Sequence, residues 1–427
     1  MNWKILEESA FPPLSLPSSL SSWALALTML FSPLTGLRVG EYLYYADLFF
    51  VAAVALGIVE RAASKQRLVL CWPYLLSALL LTLSYLGNLD QNVALNDTNF
   101  HINLLLTCLL PHTFLFLTIR NPAEMRFLIY CWTLGAVYGA AYTVAFCNGY
   151  FPEHDDVFWL INHRARGLTL QPNALALACF LAYPGLLLMF IEFRNWVVRA
   201  AVLAMAWVVW DAIGYSGSRT AVYTVFFMAP LAFVLMYRDI PVRARQKMVF
   251  VPFIAGILGV VLFVYSASTP YSAIWRLQNG EVASDTIRSA LKDKAWDDFY
   301  DSPVFGAGYQ WYRYSHNVYL EMLHSSGVIG FVGSMIALLL PLVLIYRSRM
   351  HDSGNFAVRS TTSCMIAAAL GTMFFGLAQT NISGLDPTIP FGLLLYFSVH
   401  ELTHAAKPGK RATQDRLEAS NGSQVKI

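Results

Sequence analysis

Long apolar runs separated by short polar connections organise this sequence. They fall near residues 20–36, 42–60, 68–88, 100–119, 127–149, 172–193, 196–214, 220–237, 248–266, 318–345, 357–379 and 388–405. A helix crosses a bilayer with about 20 mostly apolar residues, so the pattern predicts an all-α integral membrane protein of about 12 transmembrane helices. One connection breaks the rhythm. The stretch from 266 to 316 is far longer than the usual few-residue link and predicts a helix of its own, with Ser284 as N-cap and a stop enforced by Pro303. Within it Ile287, Leu291, Ala295 and Phe299 form one stripe, and Arg288, Lys292 and Trp296 lie on the neighbouring face. Such an amphipathic helix rests on the membrane surface or caps the bundle. Gly306 and Gly308 then make a turn. His316 follows at the start of the next helix, and the apolar run from Gly327 to Ile345 is uninterrupted. The resulting organisation is helices 1–9 over residues 1–265, a loop over 266–316, helices 10–12 over 317–406 and a polar tail over 407–427.

Composition fits this class. The 427 residues are 57% hydrophobic and 13% charged, against roughly 25% charged in a soluble domain, so lipid must cover much of the surface. The net charge of +3 is scattered over loops and gives no reason to expect a nucleic-acid partner. The six cysteines, Cys71, Cys108, Cys131, Cys147, Cys179 and Cys364, stand singly inside apolar runs, without the spacing of a disulfide framework or metal site. Glu7, Glu8 and three prolines within the first 22 residues argue against a cleavable signal peptide. With the N-terminus placed inside, 20 of the 29 basic residues fall in inside loops and 9 outside. The positive-inside bias therefore predicts an even number of spans with both termini cytoplasmic.

The outside arginines run against that bias and need a reason. Arg164 and Arg166 precede the sixth span, Arg219 precedes the eighth within Ser216-Gly217-Ser218-Arg219-Thr220-Ala221, and Arg288 sits in the long loop. Guanidinium forks, hydroxyls and helix N-termini are ligands for phosphate, which suggests a polyanion at the outer surface. Each arginine alone is equally well read as snorkelling to lipid headgroups or pairing with a carboxylate; their number near one histidine favours a site. A helix N-terminus keeps the His316 imidazole neutral and usable as a general base; an N-cap or headgroup contact is the alternative reading of His316, and the lesser one. His101, His112, His324 and His400 lie inside apolar segments and read as satisfied interior groups. No HExxH, Asp-x-Asp, Walker or dinucleotide-binding pattern occurs, so no metal and no cofactor is expected.

Three segments carry a resemblance to a known family. Arg164-Ala165-Arg166-Gly167 with Pro172-Asn173-Ala174 is similar to its Arg-x-x-Gly and Pro-Asn pattern. Ser216 to Ala221 is similar to its Ser-x-Ser-Arg motif. Arg288, then Ser302-Pro303-Val304-Phe305-Gly306-Ala307-Gly308-Tyr309, then His316-Asn317-Val318-Tyr319-Leu320 and Gly327-Val328-Ile329-Gly330, is similar to its long-loop signature. In this order they resemble the bacterial O-antigen ligase and polymerase superfamily, most of all the lipopolysaccharide O-antigen ligases. The likeness spans residues 164–333 and departs at one point: the family's tryptophan commonly follows the loop arginine by one turn, where Lys292 stands here, with Trp296 a turn later.

The resemblance implies a glycosyltransferase in the bacterial inner membrane with its active site at the periplasmic face. Its donor would be a polysaccharide on undecaprenyl diphosphate, its acceptor a sugar hydroxyl of lipid A–core, and membrane lipids its surroundings. It implies His316 as general base, Arg219, Arg288 and one of Arg164 or Arg166 on the diphosphate, Asn317 and Ser218 in support, no metal, and inversion at the anomeric carbon. An O-antigen polymerase is the nearest alternative. A transporter of lipid-linked glycan or anion is the alternative of a different class, and would be favoured by a mid-membrane Asp211 paired with a histidine.

Overall fold

The computed structural model describes residues 14–39, 43–64, 72–89, 118–119, 124–150, 159–160, 164–193, 195–239, 272–279, 282–308, 315–349, 356–379 and 385–405. Among them are twelve helices: α1 Leu20–Phe31, α2 Tyr45–Ala63, α3 Trp72–Gly87, α4 Met125–Cys147, α5 Pro172–Glu192, α6 Trp196–Ser216, α7 Arg219–Asp239, α8 Ala273–Asn279, α9 Val282–Asp301, α10 Val318–Arg349, α11 Phe356–Gly376 and α12 Leu385–Ala405. A two-residue antiparallel ribbon pairs β1 (Trp159–Leu160) with β2 (Arg164–Ala165). The protein is thus mostly helical. Five helices, α4, α5, α6, α7 and α10, are long and apolar enough to cross a membrane. The expected spans at 248–266 and over most of 100–119 lie outside the described residues.

Side-chain contacts fix the helix directions. α4 and α5 run antiparallel, with Arg126 Nη1 2.7 Å from Glu192 Oε1 at one end and Gly167 seated on Thr143 beyond the other. α5 and α11 are antiparallel through Asn173–Gln379 and Pro184–Cys364. α7 and α11 are antiparallel through the Phe227–Phe374 stack at 4.7 Å and Met236–Cys364 at 3.4 Å. Tyr319 of α10 donates to the Met373 carbonyl of α11 at 2.7 Å. The starts of α5, α7 and α10 and the ends of α4, α6 and α11 consequently share one end of the bundle.

The opposite end, which the sequence assigns to the cytoplasm, is closed by satisfied acids. Glu124 accepts from Ser18 N–H and from the hydroxyls of Ser18 and Ser22, Glu60 from Ser21, and Glu192 from Arg126 and Tyr130. A buried carboxylate is tolerated there because each has donors in place.

α10 departs from its sequence reading. The run that looks uninterrupted is broken at Gly327, which sits at φ 61° and ψ −170°. The strap from Ser302 to Gly308 fills the break. Val328 and Ile329 N–H donate to the carbonyls of Pro303 and Val304, and the carbonyls of His324 and Ser325 accept from Ala307 and Gly308 N–H. These four backbone groups at the break therefore find partners in the strap, as a lipid-embedded helix requires. Ser84 of α3 reaches the carbonyls of Phe305 and Ser326 and clips the junction to the bundle.

α9 lies against α10, and its Ala295 is 3% exposed. Leu291 and Phe299 are half-buried as the stripe predicts, but Ile287 is 61% exposed. Arg288 takes the inward place, half-buried on the same face as Leu291 and Ala295. The helix starts at Val282, ahead of the expected Ser284 cap, and ends at Asp301.

Candidate active site

Three arginines and two carbonyls build the first half of the site. α6 ends at Ser216, and Gly217 takes the left-handed conformation (φ 63°) that closes a helix C-terminus. The terminal carbonyls would otherwise be unsatisfied. Arg164 Nε donates to the Ser216 carbonyl and Arg276 Nη1 to the Gly217 carbonyl, each at 2.8 Å. A Cβ at Gly217 would come within 3.1 Å of Arg276 Nη1 and 3.2 Å of Arg164 Cγ, so a side chain there would crowd both arginines as well as strain the positive φ. Arg164 Nη2 also donates to Asn173 Oδ1 at 2.8 Å, and Asn173 in turn donates to Gln379 Oε1 at 2.8 Å. The Pro-Asn motif at the start of α5 thereby orients Arg164. Ser218 follows, 2% exposed, and its Oγ meets no hydrogen-bond partner among the described residues. Arg219, half-buried, opens α7.

Arg166 is half-buried two residues beyond Arg164. Its carbonyl accepts from Thr169 N–H and hydroxyl, and Gly167 at φ 55° lets the chain turn there against Thr143.

The second half surrounds His316. The sequence places His316 as the first residue of a helix; the structure places it one step before the cap. Asn317 Oδ1 accepts from Tyr319 N–H at 3.0 Å and Leu320 N–H at 3.2 Å and so caps α10. His316 itself has φ 53°, the one non-glycine residue with positive φ among the described residues. Such a conformation costs on the order of 1–3 kcal/mol and persists where its surroundings over-determine it. Here Ser315 N–H donates to Glu321 Oε2 at 2.9 Å, and the Ser315 hydroxyl donates to the Asn317 carbonyl. The His316 pKa lies below the ordinary imidazole value. Burial is the main cause; the Arg288 guanidinium and the Lys292 ammonium add to it, and Glu321 opposes them. Neutrality thus comes from burial and α9 charges rather than from the helix dipole alone. Its Nδ1 is buried and meets no hydrogen-bond partner among the described residues.

The two halves meet at the end of α11. Val318, two residues after His316, packs on Gly376, where a Cβ would fall 2.7 Å from Val318 Cγ1. Gln379, three residues further along, holds Asn173 and through it Arg164. Arg164, Ser218 and Arg219 thus come together at one turn, Arg288 stands within electrostatic reach of His316, and both groups lie at the same end of the bundle. Arg276, Gln379 and Glu321 belong to this constellation without having been singled out by sequence. Arg276 shows there only as one more outside basic residue, and Glu321 only as an acid in a first helical turn. Trp296 is 43% exposed and stacks with Tyr300 at 6.1 Å. Asp211 lies five residues from the end of α6, about 7–8 Å along its axis, near the site end rather than mid-helix. Among the described residues no group of three His, Cys, Asp or Glu side chains is arranged to hold a metal ion.

Comparison with curated proteins finds no match. A family model described as O-Antigen ligase matches residues 200–334 of the 427. That stretch runs from α6 through the Ser216–Arg219 turn, α9, His316 and the Gly327 break. Residues 200–334, about a third of the chain, are therefore similar to the O-antigen ligase family, and the likeness supports the O-antigen ligase/polymerase superfamily.

Proposed function

We propose that the protein is an O-antigen ligase of the bacterial inner membrane, moving polysaccharide from undecaprenyl diphosphate to a lipid A–core sugar hydroxyl at the periplasmic face. One observation carries the reading: a half-buried, neutral-leaning imidazole on a left-handed turn shares one bundle end with an arginine-rich turn whose serine hydroxyl has no partner among the described residues. The family domain supports the reaction class, since its members are O-antigen ligases and polymerases.

In this reading the acceptor oxygen forms a bond to the anomeric carbon as the bond from that carbon to the diphosphate breaks, inverting the centre. The hydroxyl proton passes to His316, and the electron pair leaves on the diphosphate. Arg219 and Arg288 face the developing charge, where preorganised cations lower the barrier most; Ser218 Oγ adds a donor. Arg164, committed to the Ser216 carbonyl and Asn173, holds the turn in shape, and Arg166 is the second candidate for the leaving group. Asn317 caps α10 and so fixes the base. Guanidinium groups take the place of a metal and no cofactor is required, because the diphosphate ester is already activated.

Reconstitution tests this directly. The full-length protein with undecaprenyl diphosphate-linked polysaccharide and lipid A–core is expected to yield capped core lipid in the presence of EDTA. Loss of activity in chelator would remove the metal-free mechanism. Growth of longer lipid-linked polymer, without transfer to core, would assign the polymerase activity instead.

The charges around His316 supply a second test. A base acts in its neutral form, so the rate rises with pH through the His316 pKa and levels above it. Lys292 is exposed and lowers that pKa. Lys292→Gln is therefore expected to move the rising limb to higher pH, and high salt to shrink the difference between the two proteins. A limb that moves to lower pH contradicts the assignment.

A further inference from the structure

We propose that Glu321 is the positioning residue for His316, its carboxylate pinning the turn that presents the imidazole; this rests on His316 being the base. Glu321 stands in the first turn of α10 and is 5% exposed. Its Oε2 accepts the N–H of Ser315, a residue wholly buried, at 2.9 Å. An ionised carboxylate holds an amide more tightly than a neutral oxygen does.

The bond closes the chain from Ser315 back onto the helix that His316 precedes. On the other side Asn317 is committed to capping that helix, and the Ser315 hydroxyl bridges across His316, donating to the Asn317 carbonyl at 2.9 Å and accepting its N–H at 3.4 Å. His316 cannot relax out of φ 53° without pulling Ser315 from the carboxylate or Asn317 from the helix. Among the described residues the charged groups facing His316 are Arg288 and Lys292 from α9 and Glu321 from α10, and of these Glu321 carries the negative charge.

The same carboxylate has a second neighbour. His324 Nε2 lies 3.4 Å from Glu321 Oε2, and both His324 ring nitrogens are buried with no hydrogen-bond partner among the described residues. The transfer chemistry makes no use of His324, which makes it the natural control.

The experiment compares wild type with Glu321→Ala, Glu321→Gln, His324→Gln and His316→Ala. Each full-length protein is purified to a monodisperse state and assayed across pH with undecaprenyl diphosphate-linked polysaccharide and lipid A–core. Glu321→Ala is expected to lower kcat about 10²-fold with the donor KM little changed, the scale of a small misplacement of a reacting group. Glu321→Gln keeps an acceptor for Ser315 N–H and is expected to recover most of the rate, with the rising limb moved to lower pH because the opposing charge is gone. A purely structural residue would lower the yield of folded protein and leave that limb in place.

Wild-type kcat in Glu321→Ala, an unmoved limb in Glu321→Gln, or a His324→Gln variant that reproduces Glu321→Ala would each overturn the proposal. Should Glu321→Ala fail to fold, the limb of Glu321→Gln still decides. Full transfer by His316→Ala would sink the base assignment itself, whereas loss in His316→Ala with full transfer in Glu321→Ala sinks the Glu321 proposal alone.

Discussion

His316→Ala is expected to lower polysaccharide transfer by roughly 10²–10⁴-fold, the contribution of a well-placed general base, while the protein still folds. Two things could cause a loss at this position, the missing ring or the disturbed turn. Alanine at φ 53° is as strained as histidine, whereas glycine adopts positive φ freely. His316→Gly therefore removes the imidazole and relieves the backbone together. If the ring carries the chemistry, both variants are inactive and His316→Gly is at least as stable as wild type in thermal unfolding. Transfer surviving in His316→Gly would show that only the turn matters, and the catalytic assignment would fall.

The largest effect on stability belongs to Gly327. Its φ of 61° with ψ near −170° is a region reserved almost wholly for glycine. A Cβ there would also lie 2.5 Å from the Gly306 backbone nitrogen, and backbone cannot swing aside as a flexible side chain can. Strain and overpacking together put Gly327→Ala at about 3–5 kcal/mol of destabilisation, read as a large fall in melting temperature and in monodisperse yield. Gly306→Ala meets the same contact from the strap side, at φ 86° and 2.5 Å from Gly327 N. Once either glycine is replaced the strap no longer seats, so the double variant is expected to cost little more than Gly327→Ala alone. Full additivity of the two would mean that strap and break are not one unit. Because the strap joins α9, which carries Arg288, to α10, which His316 precedes, loss of seating also predicts loss of transfer in whatever protein folds.

These two sites show what kind of information a linear sequence holds. The apolar runs locate the helices because burial in lipid is a property of each segment, independent of its neighbours. Turn chemistry is only partly legible: the sequence reading puts His316 at the start of α10, whereas the cap is Asn317, one residue on. The break in α10 is invisible by the same reasoning. Gly327 lies in an apolar run that satisfies every local criterion for a continuous helix, and the partner that makes the break tolerable is a strap some twenty residues earlier. The orientation of α9 was hidden too. Ile287 and Arg288 are adjacent, and which of them turns inward depends on whether the neighbouring surface offers charge or hydrocarbon.

The sequence by itself determined that this chain lives among lipids, that its long loop holds a helix, and that its arginines and His316 fall in segments resembling one family. The tertiary structure decided which of those groups stand together and what each one touches. Arg164 and Arg276 cap the carbonyls of Ser216 and Gly217, Asn173 and Gln379 brace Arg164, and Glu321 holds the turn at His316. The reason is physical: hydrophobic segregation is summed along a segment, whereas a hydrogen bond needs donor and acceptor within about 3 Å, and only the folded chain brings distant residues that close.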